Sequence, residues 1–315
     1  MHRGGRTVTT GVVIAREGST YRVHTAAGET SAVLRGKLKQ KDDDRVTVGD
    51  VVELDVDADG AAAITAIQPR RSILARRAAG SGKRRGQPIA ANVDQVVVVA
   101  AAQDPEPSPR QLDRFLVIAE ANELPAALIV NKIELHRAIG EALARRYAPA
   151  GYQVIATSVK APENIAAVRD LLAGRVTVLA GASGVGKSSL LNLLEPGLKL
   201  RVGAISEKWR TGKHTTTAAE MVPLALGGYV VDTPGMREVG AWGIAVEELG
   251  ACFPEFRPFL GHCRFDNCRH LNEPACAVRG AAAEGKFDPD RLVSYERIYE
   301  EINVPSWSSG RRRGS

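Results

Sequence analysis

The chain is 315 residues long, enough for two or three domains at roughly 100–200 residues each. Its 44% hydrophobic and 25% charged residues are those of an ordinary soluble globular protein. No apolar run approaches the ~18–20 residues of a membrane span, and the opening MHRGGRTVTT lacks the apolar core of a signal peptide, so a cytoplasmic protein without a membrane partner is expected.

Residues 1–68 read as an all-β domain. Five short segments rich in Val, Ile and Thr (Thr7–Ala15, Ser19–Thr25, Glu29–Leu34, Asp50–Val56 and Ala62–Ile67) are separated by turn formers such as Gly18, Gly28 and Asp59-Gly60. Their number and length suit a small closed barrel of the OB type that binds oligonucleotides, and an SH3-like barrel would give a similar pattern. Residues 69–91 follow as a basic linker. Arg70, Arg71, Arg76, Arg77, Lys83, Arg84 and Arg85 occur there without one acidic residue, a local excess larger than the net charge of +6 for the whole chain. With Gly80, Gly82 and Gly86 interspersed, the segment is expected to be extended and to contact an RNA phosphate backbone. Arg311, Arg312 and Arg313 add a second basic cluster.

From 92 to 240 the texture changes. Val96–Ala102 is a continuous apolar run, as expected of a parallel strand covered on both faces. Further strands are predicted at Ala126–Val130, Gln153–Ala156, Val176–Ala180 and Tyr229–Val231. Helices are predicted at Arg110–Glu120, Glu134–Tyr147, Pro162–Leu172 and Ser188–Leu194. This alternation predicts an α/β domain with a parallel sheet. Residues 241–315 have no apolar strands, only short helical pieces, a cysteine cluster and an amphipathic stretch over Asp288–Ile302 that is expected to pack against that cluster.

Gly181, Ala182, Ser183, Gly184, Val185, Gly186, Lys187 and Ser188 fit the phosphate-binding pattern G-x-x-x-x-G-K-[ST], with Ser189 continuing into the helix. The strand before and the helix after supply the context the pattern needs. Backbone amides and the helix N-terminus attract phosphate oxygens, Lys187 reaches the β- and γ-phosphates, and Ser188 ligates Mg²⁺. Asp232-Thr-Pro-Gly235 ends the strand at Tyr229–Val231. There Asp232 is a second Mg²⁺ holder and the Gly235 amide faces the γ-phosphate. The hydroxyl-rich Thr211–Thr217 loop offers Thr215 or Thr216 as a further Mg²⁺ ligand and acts as a switch ordered by the γ-phosphate. Asn131, Lys132 and Glu134 resemble the N-K-x-D guanine signature, with Glu in place of the shorter Asp. A carboxylate there accepts from N1 and N2 of guanine, donors that adenine lacks. Thr157 and Ser158 end the next strand and resemble the loop that closes over the base.

Cys263-x4-Cys268-x-His270-x5-Cys276 places three thiols and an imidazole within fourteen residues. Four soft ligands make a closed tetrahedral set suited to one structural zinc ion. Cys252 lies outside that spacing and is expected to be a packing residue.

Ordinary GTPases read P-loop, switch I, D-x-x-G, N-K-x-D and base loop. Here the order is 131, 157, 181, 211 and 232, a cyclic permutation of all five. With the N-terminal barrel, the Ala91-Asn-Val-Asp-Gln95 segment and the cysteine module, the chain resembles the small-ribosomal-subunit-dependent GTPases of the RsgA (YjeQ) family. The resemblance implies an OB-fold, a permuted GTPase core and a zinc domain. It also implies binding to the immature small (30S) subunit and its ribosomal RNA late in maturation, with hydrolysis of GTP to GDP stimulated by that subunit; a monomer is expected. Two alternatives are a GTP-gated RNA-binding scaffold with incidental hydrolysis and a GTPase acting on a protein partner. Met236 stands where Ras-like enzymes carry a water-orienting Gln, so slow intrinsic hydrolysis is expected. His214 in the Thr-rich loop is the candidate water-positioning group, as the resemblance also suggests. Because Asp232–Gly235 leads through Arg237-Glu238-Val239 straight into the cysteine module, loss of the γ-phosphate is expected to swing that module.

Overall fold

The computed structural model describes residues 7–35, 46–77, 86–198, 219–232 and 243–303. Five strands, β1 (Thr7–Glu17), β2 (Thr20–Thr25), β3 (Gly28–Leu34), β4 (Val51–Val56) and β5 (Ala62–Ile67), close into a barrel in the order β1-β2-β3-β5-β4. β3 and β5 are parallel and the other pairs antiparallel, which is the OB arrangement. The period of two aims Val13, Tyr21, Val23, Val52, Leu54 and Ile64 into the barrel core.

The expected linker departs from its reading. Its two ends form an antiparallel hairpin of β6 (Ile73–Arg77) and β7 (Gly86–Ala91). The short apolar ends of the basic stretch drive this: Leu74 and Ala90 are fully buried in the core that also contains Phe115 and Ile118, and the Ala75 amide donates to Asn122 Oδ1 at 3.0 Å. Arg70 is likewise engaged, its guanidinium forking onto the buried Asp50 carboxylate at 2.7 and 2.9 Å. Arg71 pairs with Asp94 at 3.0 Å. Arg76 is exposed, and Lys83, Arg84 and Arg85 lie outside the described residues.

The Ala91–Gln95 segment is the joint between barrel and sheet. Gly49 approaches so closely that a Cβ on it would stand 2.1 Å from the Ala91 carbonyl oxygen. Asn92 donates to the Gly49 carbonyl at 2.9 Å and accepts from the Arg71 amide at 2.9 Å. Asp94 accepts from the Val176 amide, and buried Gln95 donates to the Leu171 carbonyl and to Thr177 Oγ1. On the opposite side, Arg22 of β2 pairs with Glu220, and His24 Nδ1 shares a 2.9 Å hydrogen bond with the Tyr229 hydroxyl.

The central sheet contains β8 (Gln95–Ala101), β9 (Ala126–Asn131), β10 (Gln153–Ala156), β11 (Arg175–Ala180), β12 (Glu220–Pro223) and β13 (Gly228–Asp232), in the order β10-β9-β8-β11-β13-β12. All neighbours are parallel except β12, an edge strand absent from the sequence reading. The apolar run of β8 divides between the two faces. Val96, Val98 and Ala100 pack with α1 (Pro109–Ala121) and α2 (Arg137–Tyr147). Val97, Val99 and Ala101 pack with α3 (Ile165–Leu172) and α4 (Lys187–Leu194). Ser108 caps α1, with Pro109 in its first turn.

The C-terminal module consists of short 3-10 turns, α5 (Ala277–Ala283) and α6 (Pro289–Asn303) around a third core of Phe253, Phe256, Val278, Tyr295 and Ile298. That core takes in Val117 and Ala121, so α1 is buried between sheet and module. Cys252 packs there, as expected. At the junction Arg291, 1% exposed, is ion-paired with Asp113 of α1 and Glu255 and lies over the Phe253 ring at 4.6 Å. Burial opposes its charge, but the two carboxylates outweigh burial and raise its pKa. Arg110 and Arg114 also pair with Glu301, and Arg257 with Glu120 at 2.5 Å. This cluster fastens the module to α1, while Gly235, from which the expected swing would start, lies outside the described residues.

Replacing Arg291 with Ala strands two buried carboxylates. Stability is expected to fall by about 3–5 kcal/mol, read as a lower midpoint in guanidinium unfolding; an unchanged midpoint would show the cluster to be dispensable.

Candidate nucleotide site and metal centre

A parallel sheet delivers the C-terminal ends of its strands to one edge, where loops of α/β proteins bind ligands. In register, Ala101 of β8 lies beside Asn131 of β9, and Ala156 of β10 beside Val130. Ala180 of β11 lies beside Val98, and Val231 of β13 beside Val178. The loops after Asn131, Ala156, Ala180 and Asp232 therefore leave from one edge, although they are scattered over a hundred residues of chain.

The loop from Gly181 to Gly186 needs its glycines. Gly181, Gly184 and Gly186 have φ of +139°, +83° and +97°. A Cβ at Gly181 would stand 2.2 Å from the Val99 carbonyl oxygen, and one at Gly186 2.2 Å from Asn131 Nδ2. Lys187 is buried, and its ammonium donates to the carbonyls of Gly181 and Ala182 at 2.8 and 2.7 Å. Ser188 is buried in the first turn of α4, and Ala182, Ser183, Val185 and Ser189 complete the loop and helix start. Asn131, 2% exposed, joins this loop to the base side by donating Nδ2 to the Val185 carbonyl at 2.9 Å. Its Oδ1 is buried with no partner among the described residues, a polar group suited to a ligand. Lys132 has φ +62° and donates to the Asp104 carbonyl. Glu134 is exposed.

Thr157 and Ser158 are buried after β10. The Thr157 amide donates to the Val130 carbonyl at 2.8 Å and the Ile133 amide to the Thr157 carbonyl at 3.3 Å, so the two base-side loops are continuous. Asp232 closes β13. His214, Thr215, Thr216, Gly235 and Met236 lie outside the described residues. Sequence reading missed Asp104, Arg137, Glu163 and Asn164, which belong to no motif and meet the site only through the closed loops.

The cysteine module brings Cys263, Cys268, His270 and Cys276 together, with all ligand atoms within 4.8 Å of one another. Cys263 Sγ lies 3.8 Å from Cys276 Sγ and 3.5 Å from His270 Nδ1, which is 3.4 Å from Cys276 Sγ. A tetrahedral ion with sulfur at ~2.3 Å and nitrogen at ~2.0 Å requires edges of about 3.8 and 3.5 Å. The three edges among Cys263, His270 and Cys276 match these lengths, and Cys268 Sγ lies within 4.8 Å of the other ligand atoms. His270 has φ +59°, and the Glu273 carboxylate fixes its turn by accepting from the amides of Arg269 and Leu271 at 2.9 and 2.8 Å. Burial lowers the His270 pKa, favouring the neutral, ligating imidazole. Burial also pushes the Cys268 thiol up to about 12 and raises Cys276, a cost to the thiolates that a bound cation would offset.

Comparison with known proteins gives one consistent result. The family model described as RsgA GTPase matches residues 67–242. "Small ribosomal subunit biogenesis GTPase RsgA" of Gemmatimonas aurantiaca is 48% identical over 302 residues, covering 94% of this chain and 98% of the relative. The protein of the same name from Moorella thermoacetica is 36% identical, covering 93% and 97%. The crystal structure of YjeQ from Thermotoga maritima superposes with a TM-score of 0.77 at 32% identity, over 97% of this chain and 100% of that one. YloQ, described as a circularly permuted GTPase, gives 0.73 at 30% identity over the full length of both chains. Among the described residues no helix is long and apolar enough to cross a membrane.

Gly186→Ala adds backbone strain and a clash with Asn131. Since such strain costs about 1–3 kcal/mol, GDP binding is expected to weaken by about tenfold or more in a fluorescent-nucleotide titration. Wild-type affinity would mean that the loop tolerates a side chain.

Proposed function

Because the chain belongs to the RsgA GTPase family and is a GTP hydrolase, we propose that it binds the small ribosomal subunit and its RNA during maturation and hydrolyses GTP in response. The observation that carries the nucleotide half is the meeting of Asn131 with the Val185–Gly186 turn, which knits the base side and phosphate side into one site. The names of the relatives supply the subunit half.

In this reading Gly181–Ser189 cradle the phosphates, with Lys187 toward the β- and γ-phosphates. Asn131, Lys132, Glu134, Thr157 and Ser158 bind guanine. Ser188 and Asp232, with Thr215 or Thr216, would hold Mg²⁺, which when bound neutralises charge on the phosphoryl oxygens. The buried Ser188 at the helix start and Asp232 at the strand end beside β11 support this donor set. Gly235 senses the γ-phosphate and His214 positions the attacking water, a task Met236 lacks the polar group to perform. Zinc is the ion we assign to the Cys3His set, since three thiolates and one imidazole leave no open position for reaction. The assigned units are a barrel over 1–68, a basic connection over 69–91, the GTPase over 92–240 and the zinc module over 241–315. Arg76, Arg77 and Lys83–Arg85 remain the proposed RNA contacts, Arg70 and Arg71 being engaged by Asp50 and Asp94. A cytoplasmic monomer suits this role.

Purified small subunits are expected to raise GTP turnover by an order of magnitude or more, the scale on which partners activate slow GTPases; an unchanged rate would overturn the subunit reading. His214→Ala should abolish that stimulation while GTP affinity is retained, and full stimulation in the variant would exclude the assignment. Cys276→Ser should remove about one zinc ion per chain by elemental analysis and lower the melting temperature. Retained stoichiometric zinc would refute the ligand set.

A further inference from the structure

The base-side loops are tied together by two residues outside every nucleotide motif, Arg137 and Glu163. Ser158 and Glu163 form an isolated antiparallel bridge, with the Glu163 amide donating to the Ser158 carbonyl at 3.2 Å and the Ser158 amide to the Glu163 carbonyl at 3.4 Å. That same Glu163 carbonyl accepts from Thr157 Oγ1 at 2.7 Å. Asn164, in the left-handed conformation at φ +56°, donates Nδ2 to the Ala156 carbonyl at 2.8 Å and closes the loop on its own strand. The Glu163 side chain leaves this ring to meet Arg137, the first residue of α2, through two parallel bonds of 3.0 and 2.7 Å.

Two cations flank Glu134 in sequence: Lys132, two residues before it, whose ammonium is held on the Asp104 carbonyl, and Arg137, three residues after it and, like Glu134, exposed. A guanidinium forks onto any carboxylate within reach. If Arg137 turned to Glu134, it would occupy the oxygens that must accept from the base. Glu163 competes for that guanidinium. Its hydrogen bond and charge raise the Arg137 pKa, and Arg137 in turn lowers that of Glu163, so the pair stays ionised across the neutral range.

We propose that Glu163 is a positioning residue for base recognition. It clasps the Thr157–Ser158 loop to the start of α2 and draws Arg137 away from Glu134, whose carboxylate stays open to guanine. This rests on Glu134 being the guanine acceptor, and the experiment separates the two ideas. GDP and IDP, which lacks the 2-amino donor, are titrated against the full chain and its Glu134→Ala, Glu163→Gln and Arg137→Met/Glu163→Gln variants. Glu163→Gln is expected to weaken GDP about three- to fivefold, the scale of an exposed ion pair, and to narrow the GDP-to-IDP ratio. Removing the released guanidinium in the double variant is expected to restore most of both. Wild-type binding by Glu163→Gln, or a double variant no better than the single one, would overturn the proposal. A GDP-to-IDP ratio unchanged in Glu134→Ala would instead overturn the base-acceptor reading. Collapse of that ratio in Glu134→Ala alone would leave the acceptor standing and remove the clasp.

Discussion

Parallel strand pairing is the constraint on which the rest of this molecule depends. Five strands running the same way leave five C-terminal ends on one edge, and their order in space is set by hydrogen-bond register and by burial of both faces. Where the chain starts does not enter. A permuted GTPase therefore assembles the same edge from loops at 131, 157, 181 and 232. What the permutation changes is which strands carry the free ends. β8 becomes the entry strand and β13 the exit strand, so the barrel joins at the start of β8, opposite the loop-bearing edge, while the chain leaves β13 toward the cysteine module from that edge.

Both attachments are short-range and polar, and each is reinforced by burial. At the entry, Gly49 against Ala91 allows a backbone approach that any side chain would prevent, and Asn92 satisfies the groups around it. At the exit, Arg291 neutralises Asp113 and Glu255 inside an aromatic cage. Such a cluster adds little net stability compared with apolar packing but is costly to break by one partner. Its effect is on position: α1 and the module share one wall, and movement of one entails the other. The barrel's second grip, Arg22 on Glu220 and His24 on Tyr229, falls on β12 and β13.

Much of this was legible in the sequence because it is local. The glycines of 181–186 and the spacing of Cys263, Cys268, His270 and Cys276 are short-range patterns with a single physical reading. The strands of the barrel and sheet followed from apolar runs and turn residues. The features that escaped depend on distant partners. The Gly- and Arg-rich composition of 69–91 reads as a chain without structure, and only the burial of Leu74 and Ala90 beneath α1 makes its ends a hairpin. Arg70 is indistinguishable from Arg76 until Asp50 is seen buried beside it. Edge strand β12 is four residues long and begins with Glu220, too short and too polar for periodicity to register. The burial of Arg291 on the amphipathic Pro289–Asn303 helix becomes visible only with Asp113 of α1 and Glu255 set against it.

Charge that is compensated far along the chain thus distinguishes a positioning residue from a binding one here. Arg70, Arg71, Arg137 and Arg291 each have a carboxylate partner 20 or more residues away, with bonds of 3.0 Å or less. The sum of formal charge over a segment counts them as available to phosphate; the partners remove them from that count. Among the described residues the basic stretch of 69–91 thus loses Arg70 and Arg71 to carboxylates, while Arg76 stays exposed on β6. A nucleic-acid contact made there would be presented by a short β-hairpin anchored under α1 rather than by a free tether, which reduces the entropy lost on binding. The same geometry ties any such contact to the entry joint at Ala91, where the GTPase sheet begins.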